Sequence, residues 1–406
     1  MRYLRLYAWF MKMLACAAGL AAALTILVGC ASSTGDKHAP ASKLSGHLLI
    51  IGGGLDDDNQ PVYDRFVSLA RKITPTGAPP RVLIATAASG DQPANLKGKT
   101  ESIGAYCPDC EIAGIARETT EAQTVALIDA AQAIFFTGGD QKRITTRYLK
   151  DGKDTPEAAA MRRLLARGGV IAGTSAGDAM MSDPMFLTGR SAEALGIAST
   201  RTQAADDDDA DTKGKPPVLG PQIGQGMALL PWAVTDSHFF ERHRFGRLVA
   251  ALEVSGQRLG IGVGEDACVE VDLATGMLTG ISMADSLLVD VGSPTSGSKL
   301  ERTGLTRRNV RALVIRQGTT ISLPARLAAT LPAAPAQPER VETVTIVEPG
   351  QNRQLASWRF FLRAQTPPAP GTPLTAIRLQ LDGYRQTAWP DGSGWSVVEI
   401  GPFLNQ

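Results

Sequence analysis

From His47 onward, short apolar runs alternate with stretches of helical spacing. "HLLIIGGG" (47–54), "RVLIATAAS" (81–89), "AQAIFFTGG" (131–139) and "VIAG" (170–173) are each a few residues long and most end in glycine or other small residues. Buried parallel strands running into loops have this pattern, because both faces of such a sheet are covered. Between them, "TEAQTVALIDAA" (120–131) carries Val125 and Ile128 at helical spacing. Thr155-Pro156 is a cap followed by a first-turn proline, Met161, Leu164 and Leu165 then share one face, and Gly168-Gly169 end the helix. Strands alternating with helices of this length predict an α/β fold with a mainly parallel sheet flanked by helices. Beyond residue 260 the period turns to that of strands, with alternating runs on either side of a Thr275-Gly276 turn. Residues 324–338 are rich in Ala and Pro and read as a linker. Residues 339–406 then read as a β-rich C-terminal region with three of the five tryptophans (Trp358, Trp389, Trp395) and no assignable chemistry.

The first thirty residues stand apart from this pattern. Arg2, Arg5 and Lys12 precede an apolar stretch, Met13 to Val28, that ends in Leu27-Val28-Gly29-Cys30. This resembles a bacterial lipobox, so residues 1–30 are read as a lipoprotein signal peptide with Cys30 as the lipidated residue. A plain signal peptide or an anchor helix is the alternative. Ala31 at the next position points to the outer membrane, facing the periplasm or exterior, and residues 31–44 form a polar tether. A net charge of +1 argues against a nucleic-acid partner held by bulk charge. Beyond Cys30, three cysteines remain; Cys107 and Cys110 are expected to pair in an oxidising compartment, with unpaired thiols as the alternative. No ligand set for a metal is evident near them. The acidic run "ADDDDAD" (205–211) reads as a solvated loop.

Candidate chemistry centres on Gly173-Thr174-Ser175-Ala176-Gly177, a G-x-S-x-G pattern with a strand before it and a helix after it. A nucleophile presented on a strained turn needs such small neighbours; a glycine turn that only packs, or cradles a phosphate, has the same composition. The chain has only four histidines: His38 in the tether, His47 on the first strand, and His238 and His243 in "TDSHFFERHRFGRL". An imidazole base for Ser175 must therefore come from the last pair, and His238, at a strand end, is favoured. The acid that orients it lies either between residues 178 and 236 or at Glu265.

"IIGGG", "IFFTGGDQKRI", "GGVIAGTSAGDAMM", "TDSHFFERHRFGRLV" and "LGIGVGEDACVEV" together resemble the cyanophycinase and aspartyl-dipeptidase-like serine peptidases, over residues 45–323. The resemblance implies a three-layer fold like that of class I glutamine amidotransferases, with Ser175 as nucleophile, His238 as base and Glu265 as the orienting acid. It makes the Gly139 and Ala176 amides the oxyanion donors and places Gln141, Asp236, Arg242, Arg244 and Arg247 against the substrate. It also implies a homodimer, no cofactor and no metal. The implied substrate is cyanophycin, a polyaspartate whose β-carboxyls each carry an arginine with a free α-carboxylate. Guanidinium forks suit such carboxylates. Two positions depart from the family: Ser237 stands where glutamine is usual, and Asp178 where alanine is usual. Other acidic or isoaspartyl peptides therefore remain alternative substrates. Two other readings remain: an esterase-like or amidotransferase-like hydrolase, and a non-catalytic binding lipoprotein of the same fold.

Overall fold

The computed structural model describes residues 44–189, 191, 222–242, 244–292 and 307–329, together with strands at 342–343, 384–388 and 394–400. Residues 1–43, which include Cys30 and are read above as a signal peptide and most of a tether, lie outside these residues, as do the acidic run at 205–211 and His243. The chain runs β1 (His47–Ile51), α1 (Gln60–Lys72), β2 (Arg81–Ala85), α2 (Gln92–Tyr106), β3 (Glu111–Ile115), α3 (Glu121–Ala130), β4 (Ala133–Phe136) and α4 (Gln141–Tyr148). A small ribbon, β5 (Leu149–Lys150) and β6 (Lys153–Asp154), leads to α5 (Pro156–Ala166), β7 (Val170–Thr174), the short α6 (Ala176–Ala179) and β8 (Met185–Thr188). Then come β9 (Gln222–Gly224), β10 (Val234–Asp236), α7 (Phe245–Ser255), β11 (Leu259–Val263), β12 (Cys268–Asp272), β13 (Met277–Gly280) and β14 (Ser286–Asp290). The remaining elements are β15 (Arg307–Ile315), β16 (Thr320–Ser322), α8 (Leu323–Ala328), β17 (Glu342–Thr343), β18 (Tyr384–Ala388) and β19 (Gly394–Ile400).

Two sheets result. The larger has the order β16-β13-β12-β1-β7-β4-β2-β3. Its β1, β7, β4, β2 and β3 are parallel, and β12 joins β1 in antiparallel register. The second has the order β10-β11-β14-β15-β19-β18-β17, with only β10 and β11 parallel. The fold is thus the expected α/β sheet flanked by helices, with a further antiparallel sheet beside it. The apolar runs at 47–51, 81–85, 133–136 and 170–174 all become strands of the larger sheet, and their buried side chains fill the cores on its two faces.

Local signals account for the helix ends. Thr120 and Gln123 form a reciprocal capping box on α3. Thr155 caps α5 ahead of Pro156. Two elements had weak signals. Edge strand β3 exposes or half-exposes all but Ile115, and α2 buries only Gln92, Ser102 and Ile103, so neither shows clear periodicity. Cys107 and Cys110, just after α2, are joined by a disulfide. The Ala/Pro-rich stretch begins within α8, and β19 pairs along β15 from Arg307↔Ile400 to Leu313↔Gly394, so this C-terminal segment extends the second sheet.

Candidate active site

β7 is buried along its whole length and stops at Ser175, where the backbone turns to φ 55° and ψ −106° before α6. A side chain at such angles is strained by roughly 1–3 kcal/mol, which the surroundings must offset. The reversal is tight enough that a Cβ on Gly173 would sit 2.2 Å from the Gly177 carbonyl oxygen, which explains the first glycine of the pattern. Across the sheet, three consecutive carbonyls at the end of β1 receive the amides of the site. Ile51 O accepts from Ser175 N at 3.0 Å, Gly52 O from His238 N at 2.6 Å and Gly53 O from Asp266 N at 2.8 Å.

The side chains then meet. Ser175 Oγ lies 2.8 Å from His238 Nε2, and His238 Nδ1 lies 3.0 Å from Glu265 Oε1. A carboxylate accepts only, so Nδ1 carries the proton and Nε2 is left to accept from the serine hydroxyl. Of the two ranges open for the acid, the geometry brings Glu265 to the imidazole. His238 is largely buried, and burial pushes its pKa down. The hydrogen bond from Glu265 opposes this, while Arg242 and Arg244 lower it further. The ring therefore stays in its neutral, proton-accepting form near neutral pH.

Gly138 packs against Ser175, and Asp140 N donates to Ala88 O to hold the loop in place. Among the described residues, the Gly139 and Ala176 amides donate to no other group. The Gly138 and Gly177 amides are likewise without an acceptor among the described residues, so several N–H groups lie close to Ser175.

The structure distributes the remaining expected site residues unevenly. Gln141 turns its amide nitrogen to the Phe186 and Leu187 carbonyls at 2.8 and 3.0 Å, bracing β8. Asp236 and Arg247, expected against the substrate, are buried and bound to each other. Arg247 Nε and Nη2 donate to the two Asp236 oxygens at 2.8 and 2.5 Å, and Nη1 donates to Gly189 O at 2.7 Å. Arg244 donates to Ser237 O at 2.8 Å and reaches Asp236 at 3.3 Å. Only Arg242 is half-buried with a guanidinium that contacts no partner among the described residues.

Gly53 carried little sequence signal, and Asp178 stood out only as a departure from the family pattern. Gly53 lies under the His238 ring: a Cβ there would be 2.3 Å from Cε1, and φ is 101°. The triglycine itself was the only cue. Asp178 is fully buried, and neither carboxylate oxygen has a hydrogen-bond partner among the described residues. Burial first, then the charge of Asp236, raises its pKa well above the usual carboxylate range.

These two sites generate separate tests. Gly53→Ala is expected to displace the imidazole and slow phosphonylation of Ser175 by a serine-directed phosphonofluoridate at least ~100-fold, read by intact mass. For Asp178, a folded-state pKa above the unfolded one means that stability is lost as pH rises out of the ordinary carboxylate range. Asp178→Asn removes that loss. Its Tm should exceed that of the wild type by roughly 2 °C or more at about pH 8, with a smaller margin at about pH 5, in thermal unfolding.

Residues 48–275, which include Ser175, His238 and Glu265, match the profile of Peptidase family S51. The cyanophycinases of Trichormus variabilis and Nostoc sp. are each 32% identical over 229 residues, 54% of this chain and 66% of theirs. That of Geminocystis herdmanii is 32% identical over 142 residues, 35% of this chain and 43% of its own. The chain thus spans just under two thirds of the first two relatives. Among solved structures, a peptidase from an acI-B1 Actinobacterium aligns with a TM-score of 0.46 at 16% identity, over 70% of this chain and 98% of its own. The family match takes in more than half of the 406 residues and all three members of the hydrogen-bonded relay, and the chain belongs to Peptidase family S51.

Proposed function

We propose that the protein is an exported, lipid-anchored serine peptidase that hydrolyses cyanophycin to β-aspartyl-arginine dipeptides. The observation that carries the catalytic part is the continuous relay from Ser175 Oγ through His238 to Glu265, with the Gly139 and Ala176 amides free beside it. In this reaction His238 Nε2 takes the serine proton as Oγ attacks the peptide carbonyl, and the two amides bind the oxyanion. Collapse breaks the C–N bond, His238 protonates the departing amine, and an acyl-enzyme remains. Water, deprotonated by His238, then hydrolyses the ester and returns the hydroxyl to Ser175. The arrangement uses no cofactor.

Several features support the substrate. The relatives named above are cyanophycinases, and Arg242 offers, next to the base, a guanidinium that has no partner among the described residues and suits a substrate carboxylate. Ser237 and Asp178, the departures from the family pattern, favour a second reading in which the same chemistry acts on smaller acidic or isoaspartyl peptides. Export and anchoring rest on the Cys30 motif, and the Cys107–Cys110 disulfide suits an oxidising compartment. The homodimer is carried over from the family resemblance.

Incubation of the detergent-solubilised full chain with cyanophycin and with α- and β-linked aspartyl peptides tests the reading by mass spectrometry. Release of β-aspartyl-arginine by the wild type, and none by Ser175→Ala, is expected. Undiminished hydrolysis by Ser175→Ala would overturn the serine mechanism, and cleavage of small peptides alone would select the second reading. Arg242→Gln should raise KM for a carboxylate-bearing substrate about tenfold. It should also move the acidic limb of kcat/KM to higher pH, because a positive charge that keeps His238 neutral has been removed.

A further inference from the structure

His238 is a second residue held in the left-handed region, with φ 43°. A β-carbon makes that conformation unfavourable, and it persists only where neighbouring groups impose it. The imposing groups can be named. The peptide plane joining Ser237 to His238 is gripped at both ends: its N–H donates to Gly52 O at 2.6 Å, and its carbonyl accepts from Arg244 Nη1 at 2.8 Å. Beyond that plane, the His238 carbonyl accepts from Arg242 N at 3.1 Å and Phe239 N donates to Val263 O at 3.1 Å. With the plane fixed on one side and the next amide on the other, the backbone rotation of His238 has no freedom left.

Arg244 is itself held. Its Nη1 lies 3.3 Å from Asp236 Oδ1, and Asp236 is in turn clamped bidentately by Arg247. Arg247 is anchored by Gly189 O and by the face of Phe186, with its guanidinium carbon 4.6 Å from the ring centroid. Asp236 has no exposed side-chain surface and Arg247 only 5%, so neither reaches a substrate without breaking this pair. We propose that Asp236, Arg244 and Arg247 are positioning residues that hold the main chain of His238 in its left-handed turn. Of the three arginines of the segment, Arg244 and Arg247 then fix the base, while Arg242 takes no part in this chain of contacts.

This inference rests on the serine reading above and deepens it. A small neutral phosphonofluoridate separates the two. It carries no carboxylate to be recognised, yet its reaction with Ser175 needs a correctly placed His238. Its fluoride leaves as Oγ bonds to phosphorus and the imidazole takes the hydroxyl proton. The rate of Ser175 labelling is measured by intact mass for wild type, Ser175→Ala, Arg244→Gln and Arg244→Lys in the full chain, with near-UV circular dichroism reporting the folded fraction. Measurement at about pH 9 keeps His238 neutral in every variant, so that the lost charge of Arg244→Gln does not enter. Expected is a fall of at least tenfold per folded molecule for Arg244→Gln, whose shorter side chain leaves its amide short of the Ser237 carbonyl, with partial recovery in Arg244→Lys, whose longer side chain carries its donor nearer. Labelling of the folded Arg244→Gln at the wild-type rate overturns the proposal, as does a loss seen near pH 7 that disappears at about pH 9. If Arg244→Gln does not fold, wild-type labelling by folded Arg244→Lys at pH 9 overturns it and a reduced rate supports it. Failure of the wild type to be labelled at Ser175 removes the serine reading itself.

Discussion

Three neighbouring carbonyls at the end of β1 organise the site. Ile51, Gly52 and Gly53 accept from the amides of Ser175, His238 and Asp266, so one stretch of extended chain holds the serine, the imidazole and the residue after Glu265 in register. Gly52 N also donates to Ala267 O, tying the Glu265 loop from the other side. Backbone hydrogen bonds suit this task because a buried, unpaired carbonyl or amide is costly, so each bond also satisfies a polar group that has nowhere else to turn. The relay side chains come from the end of β7 in the larger sheet and from just beyond β10 and β11 in the second, and Gly52 and Gly53, just after β1, bond to the loops that follow those two strands. Strain at Ser175 and at His238 is tolerated because this frame over-determines both.

Behind the relay lies an unusually charged interior. Asp236 and Arg247 are removed from water together, and the pair is sustained by bidentate geometry and by the Gly189 carbonyl. Asp178 has no such compensation among the described residues, where both its oxygens are unpaired, and it avoids the cost of a buried charge by holding its proton. The same removal from water holds His238 neutral, so burial serves the base and burdens the acid by one mechanism.

Much of this was legible in the sequence, for definable reasons. Fully buried parallel strands write uninterrupted apolar runs, so β1, β2, β4 and β7 stood out. A chain with four histidines leaves few candidates for an imidazole base, which made His238 accessible by elimination. The acid was not accessible in that way, since Glu265 is one carboxylate among many and its role depends on where β11 ends relative to β10. Spacing shows that Asp236, Arg244 and Arg247 carry charge but not that they face inward and pair with one another. The edge strand β3 and the mostly exposed α2 had too little buried surface to impose a period.

The central claim is that Ser175 attacks a carbonyl whose oxygen is received by two main-chain amides. Its most direct test is a crystal structure of the enzyme with a peptide aldehyde ending in aspartate. The account predicts a hemiacetal bond to Ser175 Oγ, with the former aldehyde oxygen within about 3 Å of both Gly139 N and Ala176 N. An aldehyde left unbonded in the site, or a hemiacetal whose oxygen points away from both amides, would contradict it.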